Sequence, residues 1–261
     1  MMADPSLRPA DEGAHAPSSS PLWEEAWHFE FAGGDGRLGG YARLTLRPGE
    51  GRAWWWTAIV GAHVAFVLVR EHDVEPPRAG SLEIRAGALW AEPYCETPFD
   101  HWSVGLEAMA VSLDDPLDAY GQERGHPVPL GLDLGWEASE PPARSAAAGG
   151  YEQACAVHGE VLVGSRRLVV DGTGRRSHMW GERDWWSAPA EASGVELDGR
   201  GLVASAGDLR PVFHAPVQVP PPPAAVAGRG LSTRVARALC RGDGGEWAWV
   251  ERVQPASSTM G

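Results

Sequence analysis

The residue pattern predicts an all-β protein of barrel or sandwich type. Apolar residues recur at every second position in short runs, the period of a strand with one buried face. Each run is bounded by Gly, Pro or Asp, the punctuation of hairpins. No long amphipathic helix with caps at both ends appears, and the one helix candidate, residues 232–239, reads better as half of a hairpin.

Residues 1–21 are rich in Pro, Ser, Ala and acids, offer little apolar surface to bury, and are expected to form a disordered tail. In the first strand Trp27, Phe29 and Phe31 share one face, while His28 and Glu30 point to the other. The turn Gly33-Gly34-Asp35-Gly36 leads into a strand over 41–47, and Pro48-Gly49-Glu50-Gly51 turns into the apolar stretch 54–69. Runs at 81–91, 101–113 and 128–136 continue the pattern, the last with Leu130, Leu132, Leu134 and Trp136 on one face. The Pro/Ala/Ser/Gly stretch 141–150 reads as a domain linker. Strands resume at 151–163 and 167–170 around Gly164-Ser165, then at 195–204 and 209–219. Residues 220–223 are polyproline, a stiff surface connection. A closing hairpin pairs 233–241 with 246–253.

A chain of 261 residues with 43% hydrophobic residues can bury one large core or two small ones. Its 22 basic and 35 acidic residues give a net charge of −13, which repels a phosphate backbone and argues against a nucleic-acid partner. Lys and Asn are absent, so Schiff-base and Walker-type chemistries and N-glycosylation drop out. Cys95, Cys155 and Cys240 are odd in number and widely spaced, which supports neither a disulfide framework nor a zinc site. With no signal-peptide core and no apolar run of membrane-spanning length, the expectation is a cytoplasmic protein without a membrane span.

Gly34 to Gly39 spells a GxGxxG, but a strand follows it where a dinucleotide site needs a helix, so it reads as a turn. The nine His show no HExxH or His-x-His spacing; no metal and no cofactor are expected. Thirteen Trp are an excess, and adjacent members of Trp54-Trp55-Trp56 must point to opposite faces of a strand. They serve either a Trp-heavy core or an aromatic pocket for an apolar ligand.

The densest chemistry lies at 172–186. In an extended segment Arg176, His178 and Trp180 share a face, as do Glu182 and Asp184. Two readings of this segment stand: a proton-transfer pair of His178 with a carboxylate, or a structural Arg–Asp lock between two halves of the protein.

Gly172, Gly174, Arg176, His178, Trp180, Gly181, Arg183, Asp184 and Trp185 resemble the junction motif of the lipocalin-related family of hydroxyneurosporene synthases (carotenoid 1,2-hydratases) and AttH-like proteins. The chain departs from that motif at Ser177, where the family has Asp, and at Met179, where it has Ser. The resemblance implies two lipocalin-like antiparallel β-barrels or curved sheets in tandem: residues 22–150 and 151–255, with tails at 1–21 and 256–261. It also implies an enzyme that protonates a C=C bond of an apolar, terpenoid- or polyketide-like substrate, leading to hydration, cyclisation or isomerisation. His178 and Asp184 are then the proton-transfer residues, Arg176 and Arg183 orient them, and Trp180, Trp185 and Trp102 line the pocket. His101, beside Asp100, is a spare donor. The alternative is a non-catalytic carrier of an apolar ligand.

Overall fold

The computed structural model describes residues 7–121, 123–145, 149–187, 194–229 and 233–255. Among them regular structure consists of β-strands and short 3₁₀ turns, and no helix is long and apolar enough to cross a membrane. The strands are β1 (Trp23–Gly33), β2 (Leu38–Arg47), β3 (Arg52–Gly61), β4 (Val64–Val74), β5 (Ile84–Ala86), β6 (Leu89–Thr97), β7 (His101–Leu113), β8 (Gly125–Ala138), β9 (Ala143–Arg144), β10 (Gly150–Val163) and β11 (Arg166–Glu182). They are followed by β12 (Val195–Leu197), β13 (Val203–Ala206), β14 (Arg210–His214), β15 (Val217–Gln218), β16 (Thr233–Arg241) and β17 (Trp247–Pro255).

Strands β4-β3-β2-β1-β11-β10-β8-β7 are neighbours in that order, and β4 pairs back onto β7 through Phe66–Leu113, Val67–Ser112 and Leu68–Val111. The sheet is therefore a closed antiparallel ring, which leaves no free edge along its circumference. Alternation fills it. Trp27, Phe29 and Phe31 point inward with Leu44, Trp55, Val104, Leu132, Trp136 and Val157, forming the main core. Trp54 and Trp56 point outward from β3, as the strand period requires of residues flanking Trp55. Gly172 and Gly174 sit on the inward face of β11. A Cβ there would lie 2.1 Å from the carbonyl oxygens of Ala32 and Glu30 respectively, so the close approach of β1 needs glycine.

A second layer packs on the outer face of β2 and β3. Strands β14, β16, β15 and β17 form it, and Val217, Val219 and Val235 meet Tyr41, Trp54, Trp56 and Val60. The β16–β17 hairpin runs in register from Thr233–Pro255 to Arg241–Trp247, as the sequence pattern predicts.

Four expectations are corrected. The change of sheet does not fall at residue 150: β10 and β11 pair with β8 and β1, so both belong to the ring, and the second layer begins after Glu182. The linker-like stretch 141–150 separates no sheets: its described flanks, β9 and the start of β10, pair antiparallel with each other. Of the expected tail, residues 7–21 are described: Glu12 is buried and, with Asp11 and His15, ties the segment to the ring, while most of the other residues are exposed. Its attachment is polar, which an apolar-burial argument cannot register. The run at 81–91 is broken by Gly87 at φ +54° into β5 and β6. Residues 1–6 and 256–261 lie outside the described residues.

Candidate active site

The inward face of β11 carries Arg176 and His178 to one end of the ring, opposite Phe29 and Trp27 of β1 and Gln153 and Tyr151 of β10. Inside a barrel, side chains this polar demand partners. Residues 8–21 supply them by crossing the mouth. Arg176 donates from Nη1 to Glu12 Oε2 at 3.0 Å and from Nη2 to Glu12 Oε1 at 2.8 Å. It also donates to the Tyr151 hydroxyl at 2.9 Å and to Gln153 Oε1. Glu12 further accepts from the Phe99 N–H at 2.6 Å and from the Tyr151 hydroxyl. Burial raises the Glu12 carboxyl, but the Arg176 hydrogen bond and charge, with Tyr151 and Phe99, bring it below its ordinary value. Phe99 is the one non-glycine with positive φ (58°) among the described residues, and such strain persists where surrounding structure fixes it.

One turn of the β11 face further on, His178 is fully buried and stacked on Trp27, with ring centroids 4.3 Å apart. Its Nδ1 lies 2.8 Å from the Asp11 carbonyl oxygen, and its Nε2 lies 2.8 Å from Glu25 Oε1. A carbonyl only accepts, so Nδ1 carries a hydrogen. The neutral ring then has a bare Nε2, and its contact with Glu25 requires one more proton. Burial presses the His178 imidazole down to about 3 and pushes the Glu25 carboxyl up from its ordinary value. Both shifts favour the Glu25 side for that proton, with Glu25 donating to His178 Nε2 when it is protonated. His15 completes the cluster: Nδ1 lies 2.7 Å from Glu25 Oε1, its backbone N–H donates to Oε2 at 2.9 Å, and its ring stacks on Trp180 at 3.9 Å.

His15, Glu25 and His178 also offer three ligand atoms within 4.8 Å of one another. A tetrahedral zinc ion holds neighbouring ligand atoms roughly 3.3 Å apart, given metal–ligand distances of about 2.0–2.1 Å. The contacts to Glu25 are 2.7 and 2.8 Å, which is hydrogen-bond spacing.

Beside the cluster a pocket of about 460 Å³ opens at the mouth, lined among others by Glu12, Leu82, Tyr94, Cys95 and Trp102. Trp102 is buried, the Arg176 guanidinium lies 5.7 Å from its ring centroid, and its Nε1 has no partner among the described residues. Burial pushes the Cys95 thiol up to about 11.

The predicted site residues therefore divide. Arg176, His178, Trp180 and Trp102 meet at the mouth, whereas Arg183, Asp184 and Trp185 lie beyond the end of β11, outside the ring. Asp184 is not the partner of His178. It caps its own turn, accepting from the N–H groups of Trp186 and Ser187 at 3.0 Å and from the Ser187 hydroxyl at 2.6 Å. Trp185 packs with Trp54 and Trp56 in the second core and donates to Glu24 at 2.6 Å. Arg183 lies over the Trp185 ring, 4.0 Å from Glu24 and 3.9 Å from Glu251, and so does not orient His178. Ser177 lines an outer cleft with Arg175 and Arg183, and His101 alternates outward from Trp102. Glu12, His15 and Glu25 are the site residues sequence reasoning missed. Glu25 was legible as the carboxylate two positions before Trp27 on the same strand face.

A family model described as Domain of unknown function (DUF7064) matches residues 8–205. No curated protein matches the chain. Among solved structures, a candidate AttH protein from Nitrosomonas europaea is 11% identical with a TM-score of 0.41, the alignment covering 96% of this chain and 73% of that one. CghA is 12% identical with a TM-score of 0.36, covering 93% of this chain, which spans 63% of CghA.

Proposed function

The chain belongs to the DUF7064 family, a domain of unknown function, and from its geometry we propose that it is an enzyme acting on an apolar small molecule at the barrel mouth. The reaction class is protonation of a C=C bond in a terpenoid- or polyketide-like substrate, leading to hydration, cyclisation or isomerisation. One observation carries this reading: the buried carboxyl of Glu25, raised from its ordinary value by burial, lies 2.8 Å from His178 Nε2. A carboxyl kept protonated by burial is the form a general acid needs.

In this reading the substrate rests in the mouth pocket against Trp102, whose ring face stabilises a developing cation. Glu12 adds a carboxylate to the same wall, and Arg176 fixes its position. His178 and Glu25 move the proton. Asp11 and His15 cover the pair. Arg183, Asp184 and Trp185 serve the junction with the second layer.

A second reading is favoured by the completeness of the Arg176–Glu12 pairing: a carrier in which the same side chains lock residues 8–21 over the mouth. His178→Ala separates the two. Lost turnover with retained folding and ligand binding supports the enzyme; unchanged turnover refutes the catalytic assignment.

A further inference from the structure

We infer that His15 is the proton inlet of the buried Glu25–His178 pair, an inference that rests on reading that pair as the proton-transfer centre. The Glu25 and His178 side chains are 1% and 0% exposed, whereas that of His15 is 24% exposed. An acid that has given up its proton must regain it, and Glu25 and His178 are closed to solvent. His15 bridges the gap. Its Nδ1 meets the same carboxyl oxygen that meets His178, at 2.7 Å. Its backbone N–H holds the other oxygen at 2.9 Å, which fixes the carboxyl plane. Stacking on Trp180, 17° from parallel, fixes the ring. Nε2 is left on the side of Asp11, whose Oδ1 lies 3.7 Å away on a side chain 15% exposed.

Imidazole suits this place because one ring nitrogen can take up a proton as the other releases one. Once Glu25 is a carboxylate, the Nδ1–H proton passes to Oε1 while Nε2 takes a proton from hydronium, leaving water. The ring is neutral before and after. A ring flip, or loss of the Nε2 proton to water with uptake at Nδ1, restores the starting tautomer. His15 is thus a relay residue, and it never touches the substrate.

The test reads the proton itself and needs no substrate. Proton NMR of the full chain gives the exchange rate of the Glu25–His178 bridging proton with water, and ¹⁵N-histidine labelling reports the His178 nitrogen shifts. His15→Phe keeps a ring against Trp180 but removes both nitrogens. His15→Gln keeps a donor to Glu25 but has no second tautomer to pass a proton through. Either folded variant is expected to slow exchange on the order of a hundredfold, the scale of a lost general acid–base step, with the His178 nitrogen shifts unmoved. Exchange as fast as in the unaltered protein, in either variant, overturns the relay. Neither result depends on turnover, so a failed relay and a failed enzyme reading remain distinct outcomes.

Discussion

Arg176 and Glu12, 164 positions apart in the chain, form a buried two-bond ion pair that fastens residues 8–21 across the mouth of the ring. Removing one partner strands the other charge without water. Glu12→Gln or Arg176→Met should each lower stability by about 3–5 kcal/mol, read by urea unfolding, while the double substitution Glu12→Leu/Arg176→Met should cost less than their sum. Unchanged midpoints in the single variants would contradict the pairing.

Acid should loosen the same attachment. A carboxyl held below its ordinary value contributes stability that is present above the unfolded pKa, 4.5, and lost as pH falls toward the lower folded value. His178 works in the same direction. Its imidazole, pressed from 6.5 to about 3, stays neutral in the fold while the unfolded chain takes a proton, so stability declines as pH falls from 6.5. Glu25, raised by burial, opposes them between 4.5 and its own folded value. Melting temperatures recorded from pH 7 to 3 should therefore fall, and Glu12→Gln should flatten the part below 4.5. An acid limb in that variant as steep as in the unaltered protein would refute the assignment.

The thiols should be silent. Burial raises Cys95, Cys155 and Cys240 to about 11 each, so thiolate is scarce at neutral pH. Alkylation of the native protein at pH 7.5, followed by mass spectrometry, should leave all three unmodified over a period that fully labels the denatured chain. Rapid labelling of Cys95 would contradict the upward shift that burial gives its thiol.

Substituting Asp184 should separate structure from chemistry. Asp184→Ala removes a turn cap, with an expected cost of about 1 kcal/mol by analogy with helix caps, and turnover should persist. Glu25→Gln should keep the fold and lower turnover by about 10²–10⁴-fold. The opposite pattern would return the proton-transfer role to Asp184.

Much of this arrangement was legible in the residues. The period of two placed Arg176, His178 and Trp180 on one face and split Trp55 from Trp54 and Trp56, and each followed from pleat geometry alone. The strand after Gly36 exposed the GxGxxG as a turn. What escaped depends on contacts between distant positions. Closure of β4 on β7 and the pairing of β1 with β11 leave no local mark, so residue 150 read as a boundary. Glu12 and His15 sit in a stretch with little apolar surface, yet Arg176 and Glu25 bind them there through charge and hydrogen bonds. Asp184 is close to His178 in sequence, whereas across the sheet the carboxylate that reaches His178 is Glu25.

The most direct test of the enzyme reading is mass spectrometry of a lipid extract from the source cells, incubated in ¹⁸O-labelled water with the purified protein or its His178→Ala variant. A product carrying one labelled oxygen, or one of unchanged mass and shifted retention, formed by the unaltered protein and missing with the variant, is the predicted result. Absence of any conversion, or equal conversion by the variant, would contradict it.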